Sequence, residues 1–384
     1  MISNKTSEPW KVGVLFSTTG PLAVIEETQL RGTLMAIREI NDLGGVNGRP
    51  IQPVCYDPGS DANAFGSYAK RLMVEDGIST IFGCYSSSSR KAVVPVVERL
   101  NGLLWYPTVY EGFEFSPNVI YTGAAPNQNC IELCNYLMTH YGKRFYFVGS
   151  DYVYPRVSNR IMREFIISNG GDVVGEQYLE LNARHKDYTP ILRDIKNMQP
   201  DVIFSTVVGR STSDFYQSYS DFGFNPNKMP IASLTTTEAE IRAMGHDVGE
   251  GHITAASYFE GIGGEAGYSF TKKYKELYGA DEPTNVCVET AYFQVNMFTE
   301  ALKIANSLSS DTLRASVLGA DVKAPQGNVT INGACGHANV WSRVGKANCK
   351  GLFDVLFESK SAVCADPYLL AYGANRDFCN TNLL

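Results

Sequence analysis

Short apolar runs alternate with amphipathic stretches along most of the chain. The first pair is the apolar run Lys11–Phe16 and a stretch in which Leu30, Leu34 and Ile37 recur at helical spacing. Further strands are predicted over Ile51–Tyr56, Thr80–Gly83, Leu103–Tyr106, Val119–Thr122, Arg144–Gly149, Asp172–Tyr178, Asp201–Ser205 and Met229–Ala232. Because helices are predicted between most of them, the pattern indicates two doubly wound parallel sheets, each covered by helices on both faces.

The pattern changes after Tyr258. A long apolar helix is predicted over Glu289–Leu308, and strand-like segments follow at Asn328–Ile331, Ala338–Val344 and Leu352–Phe357. The length of 384 residues exceeds what one hydrophobic core usually supports, so two lobes are expected. Ligands of such sheets bind beyond the carboxyl ends of the strands, and two facing lobes would form a cleft there. A tail that returns to an earlier lobe would cross between the lobes several times, as in a hinge.

Composition and charge narrow the function classes. The net charge is −7 and no Lys/Arg-rich run is present, which argues against direct nucleic-acid binding. No stretch approaches the ~18–20 apolar residues of a membrane helix, so membrane insertion is not expected. Polar residues at the N-terminus lead directly into the first strand, and nine cysteines show no disulfide-like spacing. We therefore expect a cytoplasmic location, or a periplasmic one if a signal peptide has been removed.

Signatures of enzymes and cofactors are weak. Ser88–Lys91 matches the S-x-x-K motif, but the S-D-N and K-T-G elements that accompany it are absent. Gly261–Ala266 resembles a dinucleotide-binding loop, but it lies late in the chain and no acidic residue follows at the end of a second strand, so a flexible strand-to-helix loop is the expected role. Cys84 has no histidine in a recognisable partner context, and none of the five histidines pairs with a cysteine at metal-ligand spacing. We expect no catalysis, no cofactor and no metal.

One serine-rich turn carries the main binding signal. Gly83–Lys91 leaves a buried strand and enters a helix through four serines. A helix start offers backbone N–H groups and hydroxyls to a polar ligand. Capping alone explains one serine well but not four.

Aromatic residues follow two other predicted strands, in Trp105–Gly112 and Asp151–Arg156. These segments lie past the strand ends and mix rings with polar groups, so packing in a core does not explain them. Rings would reduce the volume of the cleft, and hydroxyls would orient a small ligand.

At these residues the chain resembles a known family. Arg31–Ile51 (RGTLMAIREINDLGGVNGRPI) is similar to a segment of the branched-chain amino-acid type of periplasmic binding proteins. The segments from Gly83 to Asn129 and from Gly149 to Asn159 are similar to the amide and urea branch of that family. The resemblance covers nearly the whole chain and implies the type I periplasmic-binding-protein fold. We expect lobe 1 over residues 9–122 and 257–326, and lobe 2 over residues 123–256 and 327–384.

The resemblance leaves two functions open. One is a ligand-responsive sensor that regulates an amidase operon by holding an RNA-binding antiterminator protein inactive until an amide arrives. The other is the solute-binding component of an ABC transporter for urea or short amides, with a permease as partner. Three segments resemble the sensor: Tyr106–Tyr110, Ser205–Gly209 and Ser233–Glu238. We therefore favour the sensor, and the sequence leaves a homo-oligomer open.

The resemblance also implies a ligand-binding set for a small neutral amide or urea. Ser87, Thr108 and Tyr152 would bind the amide, Tyr85 and Tyr106 would enclose its alkyl end, and Tyr154 and Val207 would line the opposite lobe. Val109 stands where the sensor family has proline, beside the acyl pocket, and Ser86 replaces a bulkier residue. The predicted ligand-binding residues are thus Tyr85, Ser86, Ser87, Tyr106, Thr108, Val109, Tyr152, Tyr154, Val207 and Thr235.

Overall fold

In a computed structural model, which describes residues 8–372, the apolar runs pair as strands in the way that a doubly wound fold requires. Within this range, the first lobe has a parallel sheet in the order β2-β1-β3-β4-β5. Its elements are β1 (Trp10–Leu15), α1 (Ala23–Asp42), β2 (Ile51–Tyr56), α2 (Ala62–Val74), β3 (Thr80–Gly83), α3 (Ser87–Arg99), β4 (Leu103–Tyr106) and β5 (Val119–Tyr121). The predicted strands of this lobe are confirmed to within a residue at each end.

The second lobe repeats the alternation. Its elements are α4 (Pro126–His140), β6 (Arg144–Ser150), α5 (Val153–Ser168), β7 (Asp172–Leu179), α6 (Thr189–Met198), β8 (Val202–Thr206), α7 (Arg210–Asp221), β9 (Ile231–Ser233), α8 (Glu238–Met244), α9 (His246–Gly249) and β10 (Ile253–Ala256). A 3₁₀ turn at His185–Tyr188 precedes α6. Strands β7, β6, β8, β9 and β10 lie side by side in parallel.

The last third of the described chain serves both lobes. Its elements are α10 (Gly264–Tyr278), α11 (Val286–Ala305), α12 (Ser310–Val317), β11 (Asp321–Ala324), β12 (Gly327–Ile331), β13 (Ala338–Asn339), β14 (Arg343–Ala347) and β15 (Phe353–Glu358). Strands β14 and β15 extend the second sheet antiparallel beyond β10. Strands β11, β12 and β13 form a small antiparallel sheet against the first lobe.

The final crossing between the lobes differs from the expected one. We expected it between residues 326 and 327, but Val329 and Ile331 of β12 are buried in the same core as Trp10 and Phe298 of the first lobe. The predicted strand Ala338–Val344 is also divided, because the chain crosses to the second lobe between β13 and β14. An alternating apolar pattern shows that one face of a strand is buried but not which sheet covers it. Residues 373–384, including Cys379, lie outside the described residues.

Polar side chains tie the crossing segments together. Arg343 is 3% exposed; it donates hydrogen bonds from Nη1 to the Ser257 carbonyl and from Nη2 to the Gln326 carbonyl, the latter at 2.9 Å. The Gln326 side-chain oxygen accepts a hydrogen bond from the Trp341 N–H at 3.1 Å. Buried polar groups are nearly always hydrogen-bonded. These contacts therefore fix the paths of the chain segments that connect the two lobes.

Helices α1 and α11 pack at very short distance through Gly32. A Cβ atom at this position would lie 2.3 Å from the Val288 carbonyl oxygen. Only a residue without a side chain allows the two backbones to approach in this way. The contact joins the first turn of α11 to α1, whose N-terminal residues face the cleft.

We expect Gly32→Ala to lower the free energy of unfolding by about 1–3 kcal/mol, because the two helices must separate to admit the methyl group. The better helix propensity of alanine offsets only about 1 kcal/mol of this loss. Gly66→Ala is the matched control, since its Cβ would lie 3.1 Å from the Ala92 carbonyl oxygen. Chemical unfolding of both variants measures the effect, and equal stability of the two would contradict it.

Candidate functional site

The connection between β3 and α3 forms the floor of the cleft. Cys84 is fully buried and has φ of 72°, a conformation that residues with a side chain rarely adopt. Ser86 is the N-cap of α3, and its Oγ accepts a hydrogen bond from the Ser89 N–H at 3.0 Å. Two serines of this turn therefore have different roles. Ser86 caps the helix, whereas Ser87 points toward the cleft.

Ser87 is held by a buried ionic cluster. Its hydroxyl donates to Glu111 Oε2, and its Oγ accepts a hydrogen bond from Arg90 Nη1 at 3.2 Å. Arg90 is fully buried and pairs with Glu111 at 3.0 Å and with Glu114 at 2.7 Å. Although burial alone would raise the pKa of Glu114, the charges and hydrogen bonds of Arg90 and Lys91 lower it to about 2. The guanidinium also lies over the rings of Tyr106 and Tyr110.

Thr108 lines the same cavity as Ser87 and is equally restrained. Its Oγ1 accepts a hydrogen bond from Gln29 Nε2 at 2.8 Å and donates to the Cys84 carbonyl at 3.2 Å. A Cβ atom on Gly123 would lie 2.1 Å from the Thr108 carbonyl oxygen, so the first crossing segment presses directly against this residue. The backbone of Thr108 therefore depends on the connection between the lobes.

The second lobe supplies rings and apolar side chains. Tyr152 and Tyr154 stand at the start of α5 with their ring centroids 6.3 Å apart. They pack with Val208 into a hydrophobic cluster that also contains Tyr85 and Leu22 of the first lobe. Helix α5 begins at Val153, and Pro155 is tolerated in its first turn because the missing N–H would have no partner within the helix there. Both tyrosines are thus directed by a helix end rather than by a loop.

These groups converge on one cavity between the lobes. Its empty volume is about 200 Å³. It is lined by Tyr85, Ser87, Thr108, Val109, Tyr152, Tyr154, Val208 and Thr235. Most of the predicted ligand-binding residues therefore meet at one place, including the three expected to hold the amide.

Three predicted residues do not line this cavity. Ser86 is used as the helix cap. Tyr106 is fully buried beneath the floor, where its hydroxyl donates to the Tyr85 carbonyl at 2.8 Å. Val207 packs into the core on the opposite side of the second sheet, and its neighbour Val208 takes the place at the cavity. Successive residues at a strand end point to opposite sides, so an error of one position reverses the assignment.

A second, larger cavity opens at the mouth of the cleft, with an empty volume of about 550 Å³. It is lined by Gly20, Pro21, Asn182, Ala183, Arg184, Arg210 and Ser211. Both of its arginines are exposed, so their charges are screened by solvent. Above it the Arg210 N–H donates across the cleft to the Pro21 carbonyl at 3.1 Å. We take the smaller cavity as the candidate site because its polar groups are buried and convergent.

The candidate cavity is lined without ionised side chains. Burial raises the pKa of Tyr85, Tyr152 and Tyr154 well above the usual tyrosine value, so all three hydroxyls stay neutral. Burial also raises the pKa of the nearby Cys84 thiol, which disfavours the nucleophilic thiolate. Within residues 8–372, no three His, Cys, Asp or Glu side chains cluster as metal ligands would. No helix in the same range is long and apolar enough to cross a membrane.

Sequence reasoning missed the residues behind the cavity. Arg90, Glu111 and Gln29 all contact a lining hydroxyl, yet none was among the predicted site residues. Arginine and glutamate are usually exposed, so nothing in the local pattern marks Arg90 and Glu111 as buried. The position of Glu111 just after the aromatic run Trp105–Tyr110 was the one available signal.

The profile of the family described as "Periplasmic binding protein domain" matches residues 10–373. The chain belongs to the periplasmic binding protein family. Among curated relatives of this periplasmic binding protein, Leu/Ile/Val-binding protein homolog 7 of Brucella melitensis is 24% identical over 82% of each chain. A leucine-, isoleucine-, valine-, threonine- and alanine-binding protein of Pseudomonas aeruginosa is 34% identical over 26% of each chain.

Solved structures confirm the fold of this periplasmic binding protein. A solute-binding protein of an ABC transporter from Rhodopseudomonas palustris HaA2, in complex with p-hydroxybenzoic acid, has a TM-score of 0.84 and 20% identity, covering 95% of this chain and 100% of that one. The branched-chain amino acid transporter substrate binding protein LivJ from Streptococcus pneumoniae, in complex with isoleucine, has a TM-score of 0.81 and 16% identity, covering 91% of this chain and 100% of that one. The predicted type I periplasmic-binding-protein fold is confirmed. The amide and urea branch stays a prediction.

Glu240 at the start of α8 stands close to the candidate cavity. It is 1% exposed and its Oε2 accepts a hydrogen bond from the Thr237 N–H at 2.7 Å. Burial raises its pKa to about 8, although the bonds from Thr237 work in the opposite direction. A carboxyl group whose pKa is raised on folding stabilises the folded state at low pH, and this contribution is lost as pH rises through the folded value.

We therefore expect Glu240→Gln to remove part of the pH dependence of stability. Relative to the wild type, the variant should gain on the order of 4 kcal/mol of unfolding free energy between pH 5 and pH 9, since one pKa unit corresponds to about 1.4 kcal/mol. Chemical unfolding across this pH range measures the difference. Glu250→Gln, at an exposed position, is the control and should show a constant difference. Parallel stability curves for Glu240→Gln and the wild type would contradict the expectation.

Proposed function

We propose that this periplasmic binding protein binds a small uncharged amide or urea in the interlobe cavity and performs no chemistry on it. The observation that carries the proposal is the lining of the cavity: hydroxyl groups and apolar surfaces converge on it, and none of its lining side chains is ionised. An ionised ligand would lose its hydration there without a charged partner. The loss of hydration costs a neutral polar molecule much less free energy.

The space in the cavity is small, because the centre of a water-sized sphere can occupy only about 10 Å³ of it, roughly the room of one water molecule. A ligand of a few heavy atoms therefore requires the lobes to part slightly, and a drug-sized molecule is excluded. A ligand of four or five heavy atoms can gain at most about 6–7 kcal/mol at the best known efficiency per atom. The tightest Kd within reach is therefore about 5–50 μM, and nanomolar affinity is not attainable.

Both lobes contribute to the cavity, which links binding to closure of the cleft. Ser87 and Thr108 come from the first lobe, and Tyr154 and Thr235 come from the second. A ligand that contacts both sets binds the closed form better than an open one, and this difference in affinity drives closure. Gly209 favours the closed form, because a Cβ atom there would lie 2.6 Å from the Pro21 carbonyl oxygen of the other lobe.

The ligand class differs from the ligands named for the solved relatives. Isoleucine and p-hydroxybenzoic acid each carry a carboxyl group, which is ionised at neutral pH. The cavity of this chain offers no cationic side chain to such a group, since Arg90 is covered by Glu111 and Glu114 beneath the floor. Val109 lines the cavity beside Thr108, so its side chain influences which alkyl or amino group fits at the acyl end.

Within this proposal the protein acts as the sensor of an amidase operon and passes the bound state to an RNA-binding antiterminator. Support comes from the three segments that resemble the sensor, all of which line the cavity, through Thr108 and Val109, through Val208 and through Thr235. The cytoplasmic location belongs to this role and stays a prediction.

A second candidate role is that of solute-binding component of an ABC transporter for urea or short amides. The specific observation in its favour is that the solved relatives reported above are transporter components by name. Such a role would place the protein in the periplasm with a permease as partner.

Calorimetry with acetamide, butyramide, urea and leucine tests the proposed ligand class. We expect at least one amide or urea to bind, leucine not to bind, and no ammonia to be released. Ser87→Ala and Thr108→Val should each weaken binding by about 1–3 kcal/mol, because a polar group of the ligand loses its buried partner. Ser88→Ala, on the same turn but outside the cavity lining, is the control. Absence of heat with every amide and urea would remove the ligand class, and unchanged affinity in both variants would move the site elsewhere.

The two roles are separated by the genes beside the one that encodes this chain. The sensor role leads us to expect an amidase gene or an antiterminator gene. Permease and ATPase genes in their place would contradict the sensor role and support transport. Co-purification of the amide-free and amide-bound protein with the encoded neighbour then tests whether the ligand changes that contact, as linkage requires.

A further inference from the structure

The hydroxyls of Ser87 and Thr108 on the floor of the cavity already form hydrogen bonds to residues beneath the floor. Ser87 gives its hydrogen to Glu111 Oε2 and receives one from Arg90 Nη1. A serine hydroxyl has one donor and two acceptor positions, so a single acceptor position remains for the cavity. Ser87 can therefore accept a hydrogen bond from a ligand but cannot donate one while its hydroxyl hydrogen is bonded to Glu111.

Thr108 likewise presents only a hydrogen-bond acceptor position to the cavity. It donates to the Cys84 carbonyl at 3.2 Å and accepts from Gln29 Nε2 at 2.8 Å, which again leaves one acceptor position. On the opposite side of the cavity, the Tyr154 hydroxyl is buried and makes no hydrogen bond of good geometry, although the Ser158 side chain lies near it. It can turn to donate to an oxygen atom of the ligand. The floor thus accepts, and the facing tyrosine can donate.

We propose that Glu111 is a positioning residue that holds Ser87 as a hydrogen-bond acceptor, with Gln29 in the same role behind Thr108, so that the site selects ligands that present N–H groups to the floor. This inference rests on the proposed function and adds the feature by which the site recognises its ligand. A primary amide or urea satisfies both acceptors. A ketone or ester of the same shape leaves them unpaired.

Glu111 can hold Ser87 as a hydrogen-bond acceptor because Arg90 fixes the orientation of the Glu111 carboxylate. Arg90 donates to Glu111 Oε1 at 3.0 Å, and a guanidinium has no acceptor. Glutamine at position 111 would turn its carbonyl oxygen toward Arg90 and its NH₂ toward Ser87. The Ser87 hydrogen would then have no acceptor behind it and would point into the cavity. Glu111→Gln should therefore reverse the polarity of Ser87.

The test compares acetamide with acetone, which replaces the NH₂ group by a methyl group of similar size. For the wild type we expect the Kd for acetone to exceed that for acetamide by at least about 10-fold, the cost of leaving buried acceptors unpaired. In Glu111→Gln this ratio should fall below about 3, because acetone gains a donor and acetamide loses an acceptor.

Glu114→Gln is the matched control. It removes the same charge from the same arginine, since Glu114 also pairs with Arg90 at 2.7 Å, but it does not contact Ser87. Its acetone-to-acetamide ratio should stay at the wild-type value. If Glu111→Gln does not melt cooperatively, Thr108→Val provides the second measurement. It should weaken acetamide at least about 10-fold while leaving acetone within about 3-fold.

The outcomes separate this inference from the proposed function. Equal affinity of the wild type for acetamide and acetone would overturn the inference and leave the amide site intact. The same holds if Glu111→Gln keeps the wild-type ratio, or if Glu111→Gln and Glu114→Gln change it equally, because the effect would then be one of charge. A wild type that binds neither acetamide nor urea would overturn the proposed function together with the inference.

Discussion

A fully buried arginine constrains the architecture of the candidate site. The charge of Arg90 is taken out of water and must be matched, and Glu111 and Glu114 supply the two carboxylates that do so. Removing one partner of such a buried pair typically costs about 3–5 kcal/mol. The pairing holds the segment after β4 against the start of α3. Ser87 and Thr108 lie side by side on the floor of the cleft as a consequence.

The remaining walls depend on the way in which the two lobes are connected. Arg343 and Gln326 bind the backbone of the crossing segments, and Gly123 brings the first crossing against Thr108. The cluster that contains Leu22, Tyr85, Tyr154 and Val208 buries apolar surface from both lobes around the cavity. Under the proposed function, a ligand in the cavity and this cluster would favour the same closed arrangement. Binding and lobe position would then be coupled through shared contacts rather than through a remote pathway.

The charge balance of the site bears on the ligand class within the family. Behind the floor, Arg90 and Lys91 pair with Glu111 and Glu114, whereas the cavity itself presents hydroxyls and rings. A small neutral molecule with both N–H and C=O groups meets these requirements. Because the charges lie one layer behind the cavity, we propose that the orientation of the hydroxyl hydrogens, rather than net charge, determines selectivity.

The sequence by itself determined the alternating strands and helices and the two lobes, since strand periodicity and helix-start chemistry are local properties. Most of the residues that meet at the cavity were implied by the resemblance to a known family, and local patterns marked only the serine-rich turn and the aromatic segments after two strands. It did not determine which sheet covers β12, because either lobe would satisfy the same apolar face. Nor did it separate Val207 from Val208, or show that Ser86 caps a helix and Tyr106 lies beneath the floor. Only the tertiary structure decided that Arg90 and Glu111 are buried together. Pairing of charges across 21 residues depends on how the chain folds back, and no local pattern encodes it.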